Sequence, residues 1–528
     1  MHLDRLLERF PFIPLSDLLD EDMVIPTGTM PEPLPDSLKK AVSELEDSED
    51  KHSRRSFQLL KVLTVLRDGE TYQSIRRFYR EPFHQTHIAE LIERNLLEDV
   101  PIAQTVADLA VRSARRGVLS SETPKLLRVH KQVRDYVNSL ISTKERSDII
   151  QTSMGLFFGV DWWKGKIRLR TTISNAYGQS AIAGPGNEHV LARQMLARAL
   201  ETRNKQRIER FAHIALVYCH KLMGADRFRD GLIAARAIVE LLKETPFDKQ
   251  FVEAAHVYGH ALRMTGRHSE SVAVLRDALD RGAGFLIDDF KAEIQQNLSL
   301  AYKGLDRKEE SLDAAREVLK LAHPDSGDAF QAQATVAELT LNASDRKSRL
   351  VQLETAARNK DRKTAANNIA LDLARDCNNP DESLRWLQRV MSSARDPYSR
   401  TRAIIERASV LGNNLRASEL RDEDFSALSA AYSYSYAQRI GNLLDSCHTV
   451  LWGMFRREGL FASLLRLFRF SSFIWRLRGK EEQEAKYLQE LDSIDLAKLE
   501  RTEGKTLQME THYLERRRQD RLPPPASA

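Results

Sequence analysis

Four histidines and two cations fall at helical spacing in the middle of the chain: His213, His220, His256, His260, Arg263 and Lys303. Residues four or seven apart share one face of a helix, so His213 pairs with His220 and His256 with His260 on two successive helices. Arg263 and Lys303 follow on the same side. A groove lined this way would hold an acidic protein or peptide segment, more firmly below about pH 6.5, where imidazole charges. The same histidines make a poor zinc centre. His256 and His260 are four apart, but the glutamate of a His-Glu-x-x-His helix and a third ligand are missing. Cys219, Cys377 and Cys447 lie far apart with no Cys-x-x-Cys pair, which supports neither a disulfide framework nor a thiolate zinc site. No Gly-x-Ser-x-Gly elbow and no paired-carboxylate motif stands out. These residues predict recognition rather than catalysis, with no metal and no cofactor in this chain.

Three further clusters invite chemistry. Phe157-Phe158-Gly159-Val160-Asp161-Trp162-Trp163 is the densest aromatic run. It reads as a hydrophobic hinge core ahead of a stacking site for a ligand. Leu464 to Trp475 sets Phe468, Phe470, Phe473 and Trp475 beside Arg466, Arg469, Arg476 and Arg478. That suits a basic helix lying on a membrane, or a last repeat whose arginine stems cover its edge. The repeat pattern over Leu460–Phe468 favours the second. Arg112, Arg115, Arg116, Lys125, Arg128, Lys131 and Arg134 form a basic run that could meet the phosphates of a nucleotide or of nucleic acid. The helix expected just before it has the opposite balance, with Glu90, Glu93, Glu98 and Asp99 against Arg94. Phosphate attraction needs positive charge, so nucleic-acid binding is disfavoured.

The elements that must position these residues are helical. The chain has 528 residues, 42% hydrophobic, 29% charged and 7% aromatic, with 23 Gly and 17 Pro. This composition can bury a core, and its few breakers point to helices. At about 150 residues per domain the length suits three to four domains. The net charge of +5 is mild and names no partner class. Charges interrupt the N-terminus too early for a signal peptide, and no uncharged run reaches the roughly 18 residues of a membrane span. A soluble protein of a reducing compartment, in the cytoplasm, is the expectation.

Residues 1–54 form a Pro-rich acidic lead-in, with a capped helix start only after Pro35. Residues 55–143 change character. Phe57–Leu63 is apolar at helical spacing, Thr71 can cap a second helix ending near Arg80, and His84 to Leu97 forms a third. Two short apolar runs, Leu97–Ile102 and Leu126–Val129, flank a long loop, and Lys131–Ile141 closes with a helix. That order describes a winged helix. Residues 144–480 are helix after helix, with an internal repeat. Cys219, Gly259 and Ser299 are 40 apart, as are the turn residues Asp226, Gly266 and Asp306, and then Gly231, Ser271 and Ser311. Small residues recur where antiparallel helices must approach closely. Residues 481–520 read as a capping helix, and 521–528 as a disordered tail.

Asn297–Gly304 through Ser311–Arg316, and Ala255 through Ala278, resemble tetratricopeptide repeats, with weaker copies at Asp345–Ala357, Pro380–Val390 and Gly459–Ser471. The period exceeds that family's usual length of about 34. At the junction, Leu127-Arg128-Val129-His130-Lys131-Gln132-Val133-Arg134-Asp135-Tyr136-Val137 resembles the Met-His-Asp signature of STAND or NB-ARC-type signalling ATPases. Val129 takes the methionine place, His130 matches the histidine, and Lys131 stands where the aspartate would be. In that family the histidine reaches the phosphates of bound ADP, so the resemblance implies that role for His130 if a nucleotide-binding domain is supplied from elsewhere. Leu34–Ala41 resembles the linker into that family's winged helix, and Glu90–Leu97 the end of its third helix. No Gly-x-x-x-x-Gly-Lys-Ser/Thr loop occurs, and about 50 residues before the winged helix leave no room for a nucleotide-binding domain. ATP hydrolysis by this chain is not expected.

The expected fold is all-α: a small winged helix followed by a tetratricopeptide-like α-solenoid. The expected function is protein recognition, as scaffold or sensor of a STAND-type signalling or defence switch, with a nucleotide-binding domain upstream or in a separate subunit. The alternatives are a winged-helix DNA-binding regulator with a repeat sensor and a stand-alone tetratricopeptide adaptor.

Overall fold

The computed structural model describes residues 34–101, 125–169, 186–413, 422–492 and 508–519. Helix α1 (Asp36–Glu46) buries Val42 and Leu45, so the part of the lead-in after Pro35 is core-packed helix. Helix α2 (Lys51–Val65) starts four residues before the expected boundary, because the Asp50 carboxylate accepts from the Ser53 backbone N–H at 2.9 Å. Strand β1 (Glu70–Thr71) and helix α3 (Tyr72–Ile75) follow, with Thr71 capping α3 as expected. Helix α3 ends at Ile75 and not near Arg80. Phe78 and Phe83 turn into the core, and the Phe83 N–H bonds back to the Arg76 carbonyl at 2.9 Å. Helix α4 (Gln85–Glu93) also stops short of Leu97. Asn95 adopts a left-handed φ of 54° that closes the helix, which frees Leu97 for the sheet.

Strands β2 (Leu97–Pro101) and β3 (Lys125–Val129) pair antiparallel, with Leu97 opposite Val129, and β1 adds to the far side of β3. The sheet order is β1-β3-β2, with α2 packed against β3 and α4 against β2. Arg112, Arg115 and Arg116 of the basic run lie outside the described residues. Arg128 and Arg134 fold back onto the Asp68 and Arg67 carbonyls at 3.3 and 3.4 Å.

Helices α5 (Lys131–Leu140) and α6 (Thr143–Phe158) lead to a single 3-10 turn (Trp162–Lys164). Phe157 and Phe158 are buried and Phe158 meets Tyr218 edge-on, so this end of the aromatic run is hydrophobic core. Only Trp163 of its rings is open, at 51% exposure. From α7 (Asn187–Glu201) onward the helices pair. The first and second members are α8 (Lys205–Gly224) and α9 (Phe228–Leu242), α10 (Asp248–Met264) and α11 (His268–Gly282), α12 (Asp288–Gly304) and α13 (Lys308–Leu321). Then come α14 (Gly327–Thr340) and α15 (Ala343–Asn359), α16 (Lys363–Asp376) and α17 (Pro380–Ser393), α18 (Pro397–Asn413) and α19 (Asp422–Ala437), α20 (Gly441–Arg457) and α21 (Phe461–Leu477). Leu464–Trp475 therefore belongs to the last paired helix, with Leu464, Phe468, Phe473 and Trp475 buried. The end carries two helices, α22 (Glu481–Leu491) and α23 (Gln508–Gln519), in place of one. The expected tail at 521–528 lies outside the described residues.

The 40-residue repeat has a physical basis. Asp226, Gly266 and Asp306 all take φ near +55 to +83° and close each first helix with the same turn. There Asn and Asp tolerate, and Gly favours, a left-handed residue. A Cβ on Gly259 would lie 2.5 Å from Leu275, and one on Gly231 2.6 Å from Met223. The small residues are also joined. Ser271 donates to the Gly259 carbonyl at 2.7 Å, and Ser299 and Ser311 donate to each other's carbonyls at 2.9 Å. Past Gly304 the first helices end at Thr340 and Asp376, 36 residues apart. There the left-handed turn gives way to an extended residue and an asparagine cap, Asn342 or Asn379.

Candidate binding groove

The first helices stack side by side, so α8, α10, α12, α14, α16, α18 and α20 form the inner wall of a superhelix. The array completes its turn and meets itself. Tyr434 donates to the Asp226 carbonyl at 3.1 Å, the Tyr398 N–H donates to the Asp226 carboxylate at 2.9 Å, and the Arg229 N–H reaches Gln438 at 3.3 Å. These partners are roughly two hundred residues apart in the chain, so the inner wall curves round a partly open cavity of about 780 Å³.

The structure gathers only part of the expected set. His260, Arg263 and Lys303 line the cavity. His256 lies just behind the wall, its Nε2 3.3 Å from the Asn297 amide and its ring edge-on to Phe290. His213 and His220 lie off the cavity on exposed surface. His213 faces Gly165, and His220 holds Glu253 at 3.2 Å. The expectation of a basic, His-lined groove that charges below about pH 6.5 is corrected on two counts. Burial lowers His256 to about 4 and holds His260 well below its ordinary range, so both stay neutral there. The wall is also mixed in charge: Arg263, Lys303, Arg375 and Arg402 face Asp226, Asp328, Asp372, Asp396 and Glu406.

Those charges form a ladder across four inner helices. Lys303 of α12 pairs with Glu338 of α14, and Glu338 meets Arg375 of α16 at 3.5 Å. Arg375 and Arg402 of α18 share Asp372 at 3.3 and 3.1 Å, and Arg402 holds Glu406 at 2.7 Å. Burial works against the Asp372 charge, but Arg402 and Arg375 outweigh it and keep the carboxyl below its usual range. Burial pushes the Glu338 and Glu406 carboxyls up. Repeat reading missed this ladder, although Asp372 inside Ile369-Ala370-Leu371-Asp372-Leu373-Ala374 was a signal. A charge within an apolar run needs a buried partner.

Between the ladder and His260 the wall turns to amides. Asn297, Gln331 and Asn368 recur on α12, α14 and α16, and Asn368 donates to Gln331 at 3.3 Å. Beside them Gln296 is 5% exposed, and neither its amide N–H group nor its carbonyl oxygen has a protein partner among the described residues.

His130 sits elsewhere, before α5, with its Nδ1 4.0 Å from Glu98 of β2 and its side chain 43% exposed. Among the described residues no three His, Cys, Asp or Glu come together as a metal ion would require. No helix of these residues is long and apolar enough to cross a membrane.

No protein-family model matches this chain, and its sequence matches no curated protein. Several solved structures are similar in shape, among them the following three. One is a Signal Transduction ATPase with Numerous Domains (STAND) protein with a tetratricopeptide repeat sensor from Pyrococcus horikoshii, at 13% identity and a TM-score of 0.38, covering 92% of this chain and 72% of that one. A Rap protein complexed with competence and sporulation factor covers 57% of this chain and all of its own, at 12% identity and a TM-score of 0.32. BtubC from P. vanneervenii covers 49% of this chain and 91% of its own, at 17% identity and a TM-score of 0.24. Similarity at this level assigns the chain no ligand.

Proposed function

We propose that this chain is a protein-recognition module whose superhelical inner wall takes an extended peptide segment of a partner. The observation that carries the reading is Gln296. A buried amide with no protein partner for donor or acceptor costs stability, and a peptide backbone offers one N–H and one C=O per residue to such a group. Asn297, Gln331 and Asn368 continue the same chemistry along the wall. The mixed ladder suits a segment carrying both charges rather than a purely acidic one.

In this reading the winged-helix unit carries the binding event onward. It shares one continuous core with the repeats. It is also tied to them by Asn187, whose amide donates to the Gly69 carbonyl at 2.8 Å and accepts from the Asp68 N–H at 3.1 Å. The Val129-His130 resemblance supports a nucleotide-binding domain of STAND type as the receiver, with His130 toward its phosphates.

A random dodecapeptide library selected against the full chain supplies the probe. Gln296→Leu should weaken the selected peptides about tenfold, since one or two hydrogen bonds are lost. The same change should raise the melting temperature of the free chain, because an apolar isostere removes a buried amide that the fold leaves without a protein partner. Arg316→Ala, on the outer helix α13, should leave binding unchanged. Equal affinity for wild type and Gln296→Leu would sink the assignment.

A further inference from the structure

The inner wall is charged differently at its two ends. Toward the ends of α12, α14 and α16 lies the ladder, in which Glu338 and Asp372 each meet a lysine or an arginine. At the starts of α12 and α14 stand Asp289, Glu293 and Asp328. Among the described residues none of these three carboxylates meets a cation in an ion pair. Burial pushes the Asp328 carboxyl up, and the Asp289 charge adds to it. Burial, then the Asp328 charge, push Glu293 up, against the His220 imidazole. Glu253 already engages that imidazole at 3.2 Å.

The helix dipole favours a carboxylate in a first turn, which accounts for Asp289 and Asp328 one by one. It does not account for Glu293, which lies in the second turn of α12, nor for the like charges being set together. The buried amide of Gln296 is a second, independent sign. Gln296 is 5% exposed, and its N–H group and carbonyl oxygen have no protein partner among the described residues. It follows Glu293 by three residues and so shares its face of the helix. The neighbouring Asn297 donates to the Glu293 carbonyl at 3.0 Å. Gln296, Asn297 and Asp328 line the same cavity, so the amide and the acidic end belong to one surface.

We infer that this end of the wall receives a cationic group of the bound segment, a lysine or arginine side chain or its free amino terminus, beside the backbone that Gln296 holds. The inference rests on the peptide reading above and adds the charge that the partner must bring. It reverses the acidic segment that the histidines and cations of the sequence suggested. A lysine or arginine head on its long stem reaches carboxylates that stand apart from one another. A metal ion needs its ligands drawn together, and no such group of three occurs among the described residues. An extended segment sends alternate side chains to opposite sides. Its cationic side would face the starts of α12 and α14, and its other side the ladder, whose charges are already paired.

Dodecapeptides selected from a random library against the full chain are the probe, read by fluorescence anisotropy. They should carry more Lys and Arg than Asp and Glu. Replacing the docked basic residue with norleucine should weaken binding about tenfold. Acetylating the amino terminus should do so only where that amine is the docked group. The double variant Glu293→Gln with Asp328→Asn should bind the basic peptide about tenfold more weakly and the norleucine peptide unchanged. Its melting temperature should hold or rise, because like charges are removed. Asp289→Asn, on exposed surface, should weaken the basic peptide about threefold and decides the matter if the double variant does not fold. Three results would overturn the cationic site alone: a selection rich in acidic residues, peptides weakened by neither norleucine nor acetylation, or peptides that Gln296→Leu weakens and the carboxylate variants do not. A library without binders, or binders that Gln296→Leu leaves unchanged, would overturn the peptide reading and this inference with it.

Discussion

Asp226 and His256 are both held away from their ordinary protonation, with opposite consequences. Burial is the largest influence on Asp226 and raises its carboxyl from 3.8 to about 6, against the Tyr398 N–H that favours the charge. The folded state therefore holds this proton more tightly than the unfolded chain. Its contribution is full below about pH 4 and lost as pH rises through about 6. Asp226→Asn keeps an acceptor for Tyr398 and tolerates the left-handed backbone. Its stability relative to wild type, from urea unfolding, should rise by about 2 kcal/mol between pH 4 and pH 8. His256 is lowered from 6.5 to about 4 by burial, so its contribution is full above pH 6.5 and lost as pH falls toward 4. His256→Gln should make the acid side of the stability profile shallower over that window. An unchanged slope would mean that the imidazole is charged in the fold. The histidines were the most visible chemistry of the sequence, yet only His260 lines the groove. Spacing showed which residues share a helix face. It did not show how deep along the superhelix that face would be buried.

At the scale of the helix pair, the small residues of the repeat are spacers. Gly259→Ala should destabilise the chain by about 1–3 kcal/mol, since its Cβ would press on Leu275 between α10 and α11. Gly453, inside α20, has nothing within 4 Å of a Cβ, so Gly453→Ala should instead stabilise by up to about 1 kcal/mol. Thermal melts of the two variants side by side check the pair, and a loss at both sites would contradict the spacer role. The central repeats were legible because one turn residue, one small pair and one ion pair recur at each joint. Arg227 with Asp230, Arg267 with Glu270 and Arg307 with Glu310 all meet within 2.7 Å. The later repeats were faint because Asn342 and Asn379 replace the left-handed residue and the period shortens. The winged-helix order was legible from breakers and caps. Its helix ends were not, because Phe78, Phe83 and Leu97 are placed by tertiary packing and strand pairing.

Across the whole molecule, closure of the superhelix decides what the groove is. Arg478 bridges the Thr265 carbonyl at 3.0 Å and the Arg439 carbonyl, tying the last pair of helices to the turn between α10 and α11. Arg478→Ala should release α20 to α22. Their amides should exchange at least about tenfold faster, while α2, α4 and α5 of the winged-helix unit keep their protection. No local pattern announces the closure, since Arg478 and Thr265 lie 213 positions apart. The ladder from Lys303 to Glu406 was legible only at Asp372, because the links Lys303–Glu338, Glu338–Arg375 and Asp372–Arg402 each join two different helices. The central claim is that recognition happens on the inner wall that closure creates. Hydrogen exchange of the full chain with and without a library-selected peptide tests it most directly. New protection should fall on α10, α12, α14 and α16, strongest around Gln296 and Asn368, with α11, α13, α15 and α17 unchanged. Protection confined to those second helices or to the winged-helix unit would contradict the account.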